Sequence, residues 1–136
     1  MQRARLLAVG ILLLATSGCA ELREGWNTGA QTAANLHRGD ARAVCESFAP
    51  VMLSALSCDA LEELMVRVSA IVGEPTGECR WGYTYRIVAL DPLRSVVVHQ
   101  CPFTRETMKV TVAVRVDADG AAVTGLWMNS PGLRKM

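Results

Sequence analysis

The chain has 136 residues, 51% of them hydrophobic, with 14 basic and 13 acidic side chains and a formal charge of +1. That length holds one domain with a real core and excludes two. A balanced charge without a basic patch argues against a nucleic-acid partner. Two histidines, and five cysteines without CxxC spacing, argue against a metal centre or a dithiol redox motif.

Arg3 and Arg5 precede an apolar run from Leu6 to Ala15, and Thr16, Ser17 and Gly18 lead into Cys19. A positive end, an apolar stretch and small residues before a cysteine together resemble a bacterial lipoprotein signal. The apolar run is 10 residues long, short of the about 20 needed to cross a hydrocarbon core. The resemblance implies export, cleavage before Cys19 and acyl (palmitate) chains on Cys19 that hold the protein at a membrane. A secreted protein cut near Ala15 or Ala20 is the alternative. By resemblance to enteric lipoprotein sorting, where Asp after the cysteine signals retention, Ala20 implies the outer membrane facing the periplasm. Removal of residues 1–18 takes away Arg3 and Arg5 but no acid, so the remaining 118 residues carry a formal charge of −1.

Beyond Cys19, residues 19–27 read as a tether, and Thr28 with Gln31 has capping-box spacing that opens a first helix. Gly39 is expected to end that helix, with His37 near its C-terminus, where a cationic imidazole is favourable. Asp40 is placed to cap a second short helix through Val44 and Phe48, limited by Pro50. A third helix begins around Ser57 to Asp59, with Leu61, Leu64, Met65, Val68, Ile71 and Val72 on one face. Gly73 and Pro75 stop it, and Asp59, Glu62 and Glu63 suit its N-terminal dipole.

After Gly77 the hydrophobic period changes to two. Four strands are expected, at Arg80–Leu90, Arg94–Phe103, Thr107–Val116 and Ala121–Asn129, with turns at Asp91-Pro92, near Thr104 to Glu106 and at Asp117 to Gly120. In the third, Met108, Val110, Val112, Val114 and Val116 alternate with polar or small residues, describing a sheet with one buried face. Short connections make the sheet an antiparallel meander in sequence order. Helices followed by strands indicate an α+β class, with N-terminal helices on a four-stranded sheet, in a single domain over 28–131 and a tail at 132–136.

The stretch from Ala41 to Pro131 resembles small bacterial domains of unknown function in the nuclear-transport-factor-2-like, or cystatin-like, superfamily. The residues that carry the likeness are Phe48 with Met52, Leu61-Glu62-Glu63-Leu64 ending at Gly73, the strand with Val110, Val112 and Val114, Asp119-Gly120, and Val123-Thr124-Gly125-Leu126-Trp127. Such domains pack helices across a curved sheet around a cone-like cavity, so the resemblance implies a fold more than a function. The chain departs from the pattern at Val68, where an aromatic is usual, and in having cysteines.

With Cys19 acylated, Cys45, Cys58, Cys79 and Cys101 remain in an oxidising compartment, and spacing alone leaves three connectivities open. On the fold picture, Cys79, Trp81, Tyr83 and Tyr85 share one strand face and Val97, His99, Cys101 and Phe103 another, which favours Cys79 with Cys101 and leaves Cys45 to Cys58. Free core cysteines are the alternative. Trp81, Tyr83, Tyr85, His99 and Trp127 are the candidate pocket residues, with Trp127 in or near the core. Arg86 and Arg115 are expected on solvated faces, and Trp26 near headgroups or against the domain. No nucleophile triad, phosphate loop or metal spacing is present, and no cofactor or catalytic residue is expected. The favoured function is a non-enzymatic, membrane-anchored module that binds a small apolar ligand or an envelope protein. The alternative is an enzyme using His99 and the nearby tyrosines in a cone-shaped pocket.

Overall fold

The protein is described here from a computed structural model, which covers residues 2–87 and 94–136, with side chains from residue 20 onward. The first helix, α1, runs without interruption over Gln2–His37, so the expected tether is helical. Thr28 does not open the helix; its carbonyl accepts the Thr32 hydroxyl at 2.8 Å from one turn further on. The physical reason lies in two glycines one turn apart. A Cβ on Gly25 would stand 3.1 Å from Ser95 Oγ, and one on Gly29 would stand 2.7 Å from Val97 Cγ2, so the bare backbone of α1 lies directly on the sheet. Docking therefore begins before Thr28, and tertiary packing sustains helix where local signals suggest a start.

Gly39, at φ +81°, ends the turn after α1 in a conformation that favours glycine. Helix α2 spans Ala41–Glu46, with the Asp40 carboxylate accepting from the Ala43 N–H. A further helix, α3 at Pro50–Ala55, was not expected: Pro50 occupies its first turn, where a missing N–H costs nothing, and so starts a helix as well as limiting the one before. Helix α4 spans Cys58–Val72, capped by the Ser57 hydroxyl and ended by Gly73 at φ +91°. Leu61, Val68 and Val72 are its buried face, as their spacing predicts. Among the described residues no helix is long and apolar enough to cross a membrane.

The strands are β1 (Arg80–Ile87), β2 (Arg94–Pro102), β3 (Thr107–Asp117) and β4 (Gly120–Asn129), an antiparallel sheet in the order β1-β2-β3-β4. The architecture is α+β, with helices packed against one face. The expected end of the first strand and the turn at Asp91-Pro92 lie outside the described residues. Met108, Val110, Val112 and Val114 point to the helices and are fully buried, joined there by Val123. Two bonds, Ala49 N–H to Val123 O and Val123 N–H to Ser47 O, cover part of the outer edge of β4. Across the sheet, the edge of β1 has no neighbouring strand among the described residues.

Two disulfides join Cys45 to Cys58 and Cys79 to Cys101. The first ties α2 to the start of α4; the second ties the approach to β1 to the end of β2. A 3₁₀ turn at Leu133–Lys135 follows Gly132, whose N–H donates to Glu106 Oε2 at 2.8 Å. That hydrogen bond, with help from Ser130, holds the Glu106 carboxyl below the usual carboxylate range.

Candidate functional site

Register decides which of the expected pocket residues meet. Trp81 lies opposite His99, but Tyr83 lies opposite Val98, so two residues of β1 are used against one of β2. The extra residue is Gly82, and the bulge it makes reverses the facing of everything after it. Trp81 and His99 consequently share the helix side of the sheet, whereas Tyr83 and Tyr85 stand on the opposite side with Val98 and Val96. The expected common face of Cys79, Trp81, Tyr83 and Tyr85 is therefore divided. A glycine inside an alternating strand is the signal that could have shown this.

Trp127 also lies on the far side, opposite Thr111, and is exposed rather than in the core. Its six-membered ring folds back over Gly125, two residues away on the same face, where a Cβ would overlap the indole. Gly125 thus lets the indole lie flat on the sheet. The five candidates form two groups: Trp81 with His99 facing α1, and Tyr83, Tyr85 and Trp127 facing away from it.

The first group lines a groove of ≈ 560 Å³ between α1 and the β1 edge. Trp26, Ala30 and Ala34, four residues apart on α1, form one wall. The two alanines leave the space, and Trp26 and Trp81 stand exposed beside it. The Trp81 indole N–H is committed to Thr84 Oγ1 at 2.9 Å, so that ring presents apolar surface. Arg38 and Glu78 also line the groove. Trp26, expected near headgroups or against the domain, stands at this groove; Ala30 and Ala34 carry no local signal, because small residues on a helix look alike until the facing element is known.

Beside the charged Arg38 and Glu78 at the groove, His99 is a buried polar group. It is only 4% exposed, and its Nδ1 has no hydrogen-bond partner among the described residues. Burial pushes its pKa below the ordinary value, so the ring is neutral at physiological pH. The other histidine provides the contrast. His37 Nε2 donates to the Pro102 carbonyl at 2.7 Å, and its ring meets Phe103 edge-on at 5.0 Å. It lines the same groove and also borders a second cavity of ≈ 160 Å³ walled by Leu36, Met65, Val68, Met108 and Met128. The hydrogen bond to Pro102 accounts for His37 as a structural residue. For His99 the described residues supply no such account.

The remaining charged candidates are structural or solvated. Asp59 stands in the first turn of α4, Arg86 is exposed, and Arg115 pairs with Asp117 at 3.0 Å. Among the described residues no group of three or more His, Cys, Asp or Glu could hold a metal ion. Cys19 lies in α1 seven residues before Trp26, which is two turns, or about 10 Å, along the same helix. No family model, curated protein or solved structure matches the chain, so fold and site rest on its own residues.

Proposed function

We propose that this protein is a lipid-anchored module of the cell envelope, held through Cys19 at the outer membrane, whose α1–β1 groove binds a small, largely apolar ligand carrying one hydrogen-bonding group. The observation that carries the reading is His99: a neutral imidazole, nearly buried, beside two exposed indoles and with hydrogen-bonding capacity unspent. A binding site of this kind needs apolar walls and one orienting polar group. An unsatisfied buried polar group costs about 1–3 kcal/mol, so its retention fits a role outside folding. The anchor is supported by the lipoprotein-like residues around Cys19 and by a helix that leads from Cys19 straight into the domain, setting the groove a short distance from the bilayer. The enzymatic alternative has less support, since Tyr83 and Tyr85 stand across the sheet from His99.

Fluorescence titration with N-phenyl-1-naphthylamine, an apolar probe bearing one N–H, tests the groove. Trp81→Ala and His99→Leu should each weaken binding by about tenfold, worth roughly 1.4 kcal/mol, while Tyr83→Ala leaves it unchanged. Full affinity in His99→Leu would remove the groove from consideration. Membrane fractionation of Cys19→Ser tests the anchor separately: release into the soluble fraction is expected, and unchanged membrane association would count against it.

A further inference from the structure

The side of the sheet turned away from the helices has a composition that neither the fold nor the groove explains. Tyr83, Tyr85 and Trp127 occupy its middle and remain 48–57% exposed, while Val96 and Val98 between them are 2% and 1% exposed although, among the described residues, no helix covers them. The three aromatic residues present surface to water on a face whose valines are buried. Tyr83 and Tyr85 lie nearly parallel, 23° apart with centroids at 6.3 Å, and Trp127 lies flat over Gly125. Register places Arg80 and Lys109 in the row beyond one margin of this band, and Arg94 and Arg115 in the row beyond the other. Among the described residues on these strands, the carboxylate on the same face is Asp117, at its corner and already paired with Arg115.

We propose that this face docks an acidic, apolar-bearing surface of a partner protein. An aromatic centre with a charged rim is the anatomy of a protein interface, and Trp, Tyr and Arg are the residues that dominate binding in such patches. The sign of the rim selects the partner: carboxylates opposite Arg80 and Lys109 are attracted, and the steering is long-ranged at low salt. A second copy of the same face would set cations against cations. A bilayer against it would lie on the opposite side of the sheet from α1, the helix that carries Cys19. Four strands and four rows span about 14 Å by about 20 Å, well under the about 800 Å² per partner of a stable complex. The partner is therefore bound weakly and released readily.

The test uses the full chain and fluorescein-labelled poly(Glu,Tyr) as the probe, read by anisotropy. Binding is expected, weakening with salt, and the double variant Arg80→Glu/Lys109→Glu should lower affinity by about tenfold or more. Tyr83→Ala/Trp127→Ala should do likewise, with circular dichroism confirming that the sheet is intact. His99→Leu should bind the copolymer as the wild type does, which separates this face from the groove. The proposal is overturned if the charge-reversed variant retains full affinity. It is equally overturned if polygalacturonate or phosphatidylglycerol vesicles bind as tightly as the copolymer, since the face would then recognise a polyanion or a lipid surface in general.

Discussion

Replacing His99 by Leu should stabilise the protein while weakening its proposed use. The wild-type ring is buried opposite Trp81 on one side and Val110 on the other, with Nδ1 lacking a partner among the described residues. An unsatisfied buried polar group costs about 1–3 kcal/mol, and an apolar side chain of similar size removes that cost. Leu fits the site's shape less well, so the expected net gain is about 1 kcal/mol, a rise of roughly 4 °C in Tm for a domain of this size. The gain depends on pH with a definite sign. Because burial lowers the pKa of His99 in the folded state, the unfolded chain binds more protons as pH falls below about 6.5, and the wild type loses stability there until the folded-state pKa is passed. His99→Leu loses this slope, so its advantage widens from pH 7.5 to pH 5. Urea unfolding followed by far-ultraviolet circular dichroism at both pH values measures it. A variant less stable than wild type by more than about 1 kcal/mol, with the acid-side slope retained, would mean that the imidazole is satisfied within the fold, and the case for the groove would fail.

Other perturbations probe the remaining links. Gly29→Ala offers about 1 kcal/mol of helix propensity, but its Cβ would meet Val97 at 2.7 and 2.9 Å, and overpacking costs about 1–3 kcal/mol. Net destabilisation is expected, partly relieved when combined with Val97→Ala; a stabilised single variant would show that this part of α1 does not lie on the sheet. Glu106→Ala should speed amide hydrogen exchange at Gly132 and Leu133 without affecting Val112. Because the Glu106 pKa is lowered in the folded protein, the wild type should show the same local opening as pH falls through that lowered value, and protection unchanged in strong acid would contradict it. The disulfides close loops of 13 and 22 residues, each worth about 3 kcal/mol on chain-entropy grounds. Cys45→Ser/Cys58→Ser and Cys79→Ser/Cys101→Ser should each lose about that much in denaturant titrations, and a loss under about 1 kcal/mol in either would show that its bridge contributes little.

Much of the local structure was readable because its causes are local. The face of α4, its Ser57 and Gly73 boundaries, the Asp40 cap and the alternation of Met108 to Val114 each follow from spacing within a few residues. The misreadings share one origin. Thr28 carries a helix-start pattern, yet α1 continues through it because Gly25 and Gly29 are pressed against β2. Pro50 reads as a stop and also serves as a start.

The candidate site was legible in its parts and not in its assembly. Aromatic residues and His99 were identifiable by type, and an alternating strand places Trp81, Tyr83 and Tyr85 together. One extra residue at Gly82 reverses that result, since side chains on a strand alternate with a period of two. By itself the sequence determined the order of elements and the buried faces of α4 and β3, which depend on periodicity and neighbour order, whereas the pairing of the cysteines needed the fold as well. Only the tertiary structure decided that Trp26 from α1 would meet Trp81 and His99 across a groove, and that Tyr83, Tyr85 and Trp127 would gather beyond the sheet. Those arrangements depend on the bulge at Gly82 and on Gly25 and Gly29, whose consequences appear only when a distant strand is placed against them.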